Sequence, residues 1–365
     1  MERKIYVEYG NDACAMTVRL LEAANIAERI PAGARIALKP NLVLDSPASE
    51  GATTHPEIAE GVIRYLQAHG FEHICIMESS WVGAATGKAF KLCGYEALCK
   101  KYAIPFYDLK KAESIQVETP IGPIAVCRRA LETDYLINLP VLKGHCQTVM
   151  TCALKNCKGC IPDHEKRRFH ALGLHRPIAA LAAVLRPALT IVDSICGDLN
   201  FEEGGNPIRT QRIFMGEDPV QLDAYGCALM GVQPEQVEYL AYAQAYGAGR
   251  MEYTQEDIVM LHRPQETSRE SYNGKAAYLG KYVQQEQACS ACYGSLIHAL
   301  YRLEQQGQRK LRELPPICIG QGWQGKQISG IGIGKCCDGA QVQVKGCPPS
   351  AQAILQTLQA WQKKE

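Results

Sequence analysis

The sequence predicts an α/β fold: a mostly parallel, doubly wound sheet domain, followed by a smaller C-terminal α/β domain rich in cysteine. Three observations carry this. Short β-branched runs alternate with helix-length amphipathic segments through residues 1–249, the pattern of a parallel sheet covered by helices. At 365 residues the chain exceeds what one small core organises. A second βα pattern starts at Cys289 and is threaded with cysteines.

In the first domain the β-branched runs at 4–7, 35–38, 73–77, 134–138, 189–192 and 212–215 are the expected strands. Apolar spacing places helices over 16–29, 56–69, 96–102, 148–157 and 219–230. The second of these opens with Thr54-His55-Pro56-Glu57, which reads as a capping box with proline in the first turn. Residues 115–126, around Pro120-Ile121-Gly122-Pro123, read as a hairpin insert. Residues 250–285 are polar and poorly patterned, and are expected to connect the two domains. In 286–365 a helix is expected over 293–305, strands over 316–319, 331–334 and 341–344, and a closing helix over 351–361.

Composition narrows the function. Hydrophobic residues make up 47% and charged residues 21%, as in an ordinary soluble globular protein. The 39 basic and 38 acidic residues leave a net charge of +1. That balance argues against nucleic acid and anionic membrane as partners, since both call for a basic excess. The 17 cysteines are odd in number and spread along the chain, so no disulfide framework can use them all. The start MERKIYVEYG has no apolar signal core, and no stretch approaches the ~18–20 apolar residues of a membrane span. A cytoplasmic location is expected, with thiols free, buried or metal-bound.

The sharpest chemistry lies in the last quarter. Cys289 and Cys292 form a C-x-x-C just before a helix, whose dipole favours bound anionic sulfur. Cys336 follows a glycine-rich strand, and Cys347 stands in Gly346-Cys347-Pro348-Pro349, similar to the Cys-Pro ending of many cluster motifs. Cys289, Cys292, Cys336 and Cys347 are therefore the expected ligands of a [4Fe–4S] cluster, with Cys337 in reserve for Cys336 and Cys318 a further candidate. Zinc is the alternative, since Cys157-Lys158-Gly159-Cys160 supplies a second C-x-x-C. Ordinary buried cysteines are the plainer reading, above all for Cys157 and Cys160. The letters G-x-G-x-x-G at 320–325 precede a strand rather than a helix, so they do not make a dinucleotide site.

Several strands run into polar residues: Lys39 and Asn41, Glu78-Ser79-Ser80, Lys143-Gly144-His145, Asp193-Ser194, and Glu217-Asp218. In a parallel sheet these ends share one edge, where ligands bind. Lys39, Lys143 and His145 are the expected catalytic groups, with Asn41 and Asp193 binding substrate. Polar strand-to-helix loops also occur simply because helices need caps. The segment His164-Glu165-Lys166-Arg167-Arg168-Phe169-His170 is either a solvated helix face or a lid that recognises an anion or a redox partner.

The succession KPNLV, INLPVLKGH, LKN, LTIVDSI, Gly204-Gly205 and DPVQLDA across residues 33–247 resembles the domain-of-unknown-function family 362. The resemblance implies an intracellular protein that often carries an iron–sulfur module, and it supplies no substrate. Through its LKN it adds Lys155 and Asn156 to the expected binding residues. The combined expectation is a redox enzyme that passes electrons from the cluster to a small, anionic ligand or an unnamed second cofactor. The alternatives are a non-catalytic electron carrier or accessory protein, served by a redox partner, and a zinc-stabilised binding protein.

Overall fold

The computed structural model describes residues 4–263, 274–306 and 311–362. An eight-stranded sheet has the order Ile258–Met260, Ile5–Tyr9, Ile208–Gly216, Leu189–Gly197, Tyr135–Leu139, Ile36–Pro40, Ile74–Glu78 and Phe106–Asp108. The central strands Ile36–Pro40 and Tyr135–Leu139 are buried at every position, as expected of strands covered on both faces. Their side chains alternate between two cores. Ile36, Leu38, Tyr135 and Ile137 pack on one face, and Ala37 and Leu136 on the other.

The sheet is not wholly parallel. Ile208–Gly216 runs antiparallel to both Ile5–Tyr9 and Leu189–Gly197. Gly216-Glu217-Asp218 therefore lies at the edge opposite to the expected one. There Glu217 pairs with Arg29 at 2.8 Å, and Asp218 caps the helix Pro219–Met230 by accepting from the Val220 and Gln221 amides. β-Branched content identifies a strand but carries no information on its direction.

Other expectations need local correction. The Thr54 side chain does not cap a helix: it donates to Leu139 O at 2.7 Å and accepts from the Asn41 amide at 2.8 Å. His55 is the N-cap residue, and its amide and Nδ1 both engage Asp193 Oδ2 at 2.8 Å. The helix expected over 148–157 is mostly a hairpin, Lys143–His145 with Val149–Thr151, then one helical turn Ala153–Asn156 and a 3₁₀ turn Cys157–Cys160. The hairpin insert is present, as Ser114–Val117 with Ile124–Cys127. Residues 250–285 include the edge strand Ile258–Met260, the helix Lys275–Gly280 and the strand Val283–Gln285; residues 264–273 lie outside the described residues.

The C-terminal sheet is parallel, in the order Val283–Gln285, Ile317–Ile319, Ile328–Ile333 and Ala340–Val344. Helices Ser290–Gln305 and Ala351–Gln362 cover it with Leu296, Leu300, Leu303, Ile354 and Leu358. Phe201, which follows the long strand Leu189–Gly197, enters this third core. Its ring centroid lies 4.3 Å from that of His298 and 5.5 Å from that of Tyr301. Among the described residues no helix is long and apolar enough to cross a membrane.

Because Phe201 plugs the C-terminal core from the other sheet, Phe201→Ala should cost about 3–5 kcal/mol. Denaturant unfolding will measure it, and proteolysis after residue 285 should accelerate first. An unchanged midpoint would show that this seam adds no stability.

Candidate functional site

The site begins at the carboxyl edge of the large sheet. Lys39 ends one strand and Glu78 its neighbour, and Lys39 Nζ pairs with Glu78 Oε2 at 2.8 Å with both side chains almost wholly buried. Glu78 also accepts from the Ser79 and Leu42 amides. Asn138, opposite Lys39 in register, donates to Ala153 O, and Asn156 donates to Asn138 Oδ1 at 2.8 Å and to Lys39 O at 3.2 Å. This polar ladder fixes the turn Ala153–Asn156 on the sheet edge. The next turn, Cys157–Cys160, must then pass over the ion pair. A Cβ at Gly159 would lie 2.0 Å from Glu78 Oε1, so glycine is required by close approach.

A second charge group centres on Glu202. Its Oε1 takes Lys155 Nζ at 2.5 Å, and its Oε2 lies 2.9 Å from His145 Nε2. His145 Nδ1 accepts from the Gln147 and Thr148 amides, so that nitrogen keeps its lone pair and the ring is neutral. Burial, followed by the nearby Lys155 charge, lowers His145 to about 4. Glu202 lies well below the usual carboxylate range: burial opposes its charge, but Lys155 and His145 outweigh it. Lys143 donates to Ala52 O at 2.6 Å and to Glu202 O at 2.9 Å, and burial lowers it to about 8.

Between these groups and the C-terminal sheet lies an open cavity of about 600 Å³, solvent mouth included. Of the residues expected to bind substrate, Asn41, Lys155 and Asn156 line it; so do Lys158, Lys166 and His170, which were not singled out as site residues. The other expected residues stand behind the wall. Lys39 lies under Gly159, Lys143 under the Glu202 backbone, and His145 behind the Glu202 carboxylate. Asp193 turns to His55. The basic segment forms the helix Asp163–Ala171, which exposes His164 and Arg167 on one face and turns the buried Lys166 and His170 to the cavity on the other. Lys166 is buried and donates to Ser79 O and Ser80 O, and burial lowers it to about 8. Lys158 is lowered to about 7, by burial and then by Lys155. The available signals were Lys166 and His170 one helical turn apart, and a lysine inside a C-x-x-C.

One C-terminal cysteine faces this cavity from the far side. Cys289 lines it and is the N-cap residue of Ser290–Gln305. Ser290 donates to Gln147 Oε1 at 2.8 Å, which fastens that helix start to the hairpin of the first sheet. A Cβ at Gly83, in the loop after Glu78, would lie 2.7 Å from Cys347 O, so the Cys347 loop also touches the sheet edge. Burial, then Cys336 and Cys347, push the Cys289 thiol up to about 11, while Lys158 and Arg167 act downward. Cys292 is raised by burial and by Cys289, Cys347 and Cys336. Cys337 is fully buried, and its Sγ donates to Cys318 O at 3.4 Å. Cys157 and Cys160 are buried in the core on one face of the large sheet. Among the described residues, no three His, Cys, Asp or Glu side chains are placed to share one metal ion.

Glu202→Gln should destabilise the protein by about 3–5 kcal/mol in denaturant unfolding, because it strands the buried Lys155 charge. The His145 ring should show no protonation by NMR between pH 7 and about pH 5. Its folded pKa of about 4 lies below the ordinary value of about 6.5, so the unfolded chain binds the proton first. Stability should fall as pH drops through that window, and His145→Gln should flatten this part of the slope. An equally steep profile in the variant would assign the slope to other groups.

A thylakoid-associated protein of Synechocystis sp. is 25% identical over 247 residues, spanning 66% of this chain and 76% of that protein. Among solved structures, the lactate racemase apoprotein of Thermoanaerobacterium thermosaccharolyticum aligns with 62% of this chain and 57% of its own, at 12% identity and a TM-score of 0.42. A Thermotoga maritima protein aligns with 55% of this chain and 54% of its own, at 13% identity and a TM-score of 0.36. The family model described as "Domain of unknown function (DUF362)" matches residues 36–228, the stretch that carries the sheet edge, the polar ladder and Glu202, and the chain belongs to that family.

Proposed function

We propose that this protein is an iron–sulfur redox enzyme whose cavity takes a small anionic substrate or a second cofactor. The observation that carries the reading is that Cys289 and the lysines Lys155, Lys158 and Lys166 line one cavity. A thiol of the cysteine set thus shares its cavity with two buried lysines, Lys155 and Lys166, and the half-buried Lys158.

Cys289, Cys292, Cys336 and Cys347 are the proposed ligands. The thiols of Cys289, Cys336 and Cys347 lie near enough to perturb Cys292, and Gly334 leaves room beside Cys292 Sγ, 3.7 Å from where a Cβ would stand. Such a soft, all-thiol donor set fits a cluster, in which each thiolate meets its own iron. It fits a single zinc less well, since Zn–S bonds of about 2.3 Å demand that the sulfurs nearly touch, and no three donors converge in that way among the described residues. A bound cluster would supply one-electron transfer. Cys337 is left out because its thiol is committed to Cys318 O.

The protein's own groups would do the remainder. Lys155 and Lys166 hold positive charge against an anion, and Asn41 and Asn156 offer amides that orient it. Lys39, Lys143 and His145, expected as catalytic groups, support the wall from behind by holding Glu78 and Glu202. Cys347 is exposed, so a redox partner protein would reach the cysteine set from that side. A reducing compartment such as the cytoplasm belongs to the same proposal.

Anaerobically purified protein should contain iron and acid-labile sulfide, with broad visible absorbance that bleaches on reduction. Serine at any one of the four ligand positions should remove the colour, and Cys337→Ser should keep it. Stoichiometric zinc without sulfide would end the proposal. Lys155→Ala should weaken anion binding by about 10- to 100-fold, the loss of one charged hydrogen bond, and should also cost stability by about 3–5 kcal/mol, because it strands the Glu202 carboxylate, with iron content unchanged in the protein that folds. Turnover of a reductant with small anions separates an enzyme from a carrier.

A further inference from the structure

Three lysines line the cavity and a fourth, Lys39, lies behind its wall, and they are not equivalent. Lys39 pairs with Glu78 at 2.8 Å, Lys155 with Glu202 at 2.5 Å, and Lys166 with Asp163 at 3.4 Å. Among the described residues Lys158 has no carboxylate partner; its polar contact is His170 Nε2 at 3.5 Å. Two further cavity-lining groups lack hydrogen-bond partners among the described residues: the Thr151 hydroxyl and His170 Nδ1, on side chains that are 1% and 9% exposed. Buried polar groups are ordinarily satisfied, so this trio points to a polar ligand.

Lys158 is also held rigidly. It stands on the turn Cys157–Cys160, whose two cysteines are buried in the core. The backbone of that turn rests on the Lys39–Glu78 pair through Gly159. A half-buried lysine that lacks a counter-ion among the described residues and is flanked by other ammonium groups is the arrangement that makes an amine nucleophilic. The low charge state of Lys158 described above agrees with this environment.

We propose that Lys158 captures the carbonyl carbon of a small oxo acid as an imine, with the surrounding ammonium groups holding the carboxylate. In this step the Nζ lone pair forms an N–C bond. The carbonyl oxygen then leaves as water with both protons of the neutral amine, and no electrons are exchanged. Lys155 and Lys166 select the acid over a neutral carbonyl compound, and the Thr151 hydroxyl is placed to donate to the ligand. The inference shares with the redox reading the premise that this cavity binds ligand; it does not depend on the cysteine set.

The test is reductive trapping. The full chain, as purified, is incubated with glyoxylate or pyruvate and sodium borohydride, and the modified lysines are identified by peptide mass mapping. Lys158 should acquire the carboxymethyl or carboxyethyl group at least about tenfold faster than the exposed Lys88 and Lys281, given its larger share of neutral amine. Labelling should saturate with oxo acid and exceed that by propanal. Lys158→Arg, which keeps a long basic side chain but offers no free amine, should lose the fast adduct with the fold intact by its melting transition. If that variant does not fold, the rate ratio within the wild-type protein decides. Labelling of Lys158 no faster than the exposed lysines, or adducts on Lys155 or Lys166 instead, would overturn the proposal. Equal labelling by propanal would overturn the oxo-acid assignment. Iron-free protein that still forms the adduct would count against the redox reading alone, and iron-containing protein without it against this inference alone.

Discussion

The carboxylate of Glu202 is the interaction on which the site depends. It is buried together with two cationic or protonatable neighbours, Lys155 and His145, and its own backbone carbonyl receives Lys143. None of these charges could be left alone in so dry a place, because an unpaired buried ion costs several kcal/mol. The chain segment that carries it also joins the two sheets. Phe201 fills the C-terminal core, and Glu203 lies against Gly294 of the helix that Cys289 opens. Three consecutive residues thus couple core packing, site charge and the placement of the cysteine helix.

The second organising feature is the layered use of polar groups. Asn138 and Asn156 bond each other and the backbone, which positions the turn that carries Lys158. Lys39 and Glu78 lie one layer below and act as a floor. Residues that look catalytic by type are therefore partly scaffolding, and the residues that face the cavity are those the scaffold lifts into it. Charge pairing explains the division. Lys39, whose carboxylate partner is buried with it, is committed to structure, whereas among the described residues the polar contact of Lys158 is a histidine ring.

Much of this was legible in the residues. The β-branched runs at 35–38, 73–77 and 134–138 correspond to Ile36–Pro40, Ile74–Glu78 and Tyr135–Leu139, because a strand buried on both faces must be apolar throughout. The short strand Phe106–Asp108 and the hairpin of Lys143–His145 with Val149–Thr151 were not legible. Each of these strands is three residues long, too few for periodicity to register. The helix Asp163–Ala171 was obscured by its charge: Lys166 and His170 are buried, and only tertiary partners make burial of such residues tolerable.

By itself the sequence determined the local and the chemical: which segments are strands and helices, that polar residues cluster at strand ends, and that thiols crowd the last quarter. These follow from side-chain shape, period and composition, which act over a few residues. Only the tertiary structure decided direction and orientation. It turned Ile208–Gly216 antiparallel and so carried Glu217 and Asp218 to the far edge. It set Asp193 toward His55 and away from the cavity, and it brought Lys158, Lys166 and Cys289 to one wall. Those outcomes depend on which distant carboxylate or carbonyl each polar group meets in the folded chain, a long-range choice that no local pattern records.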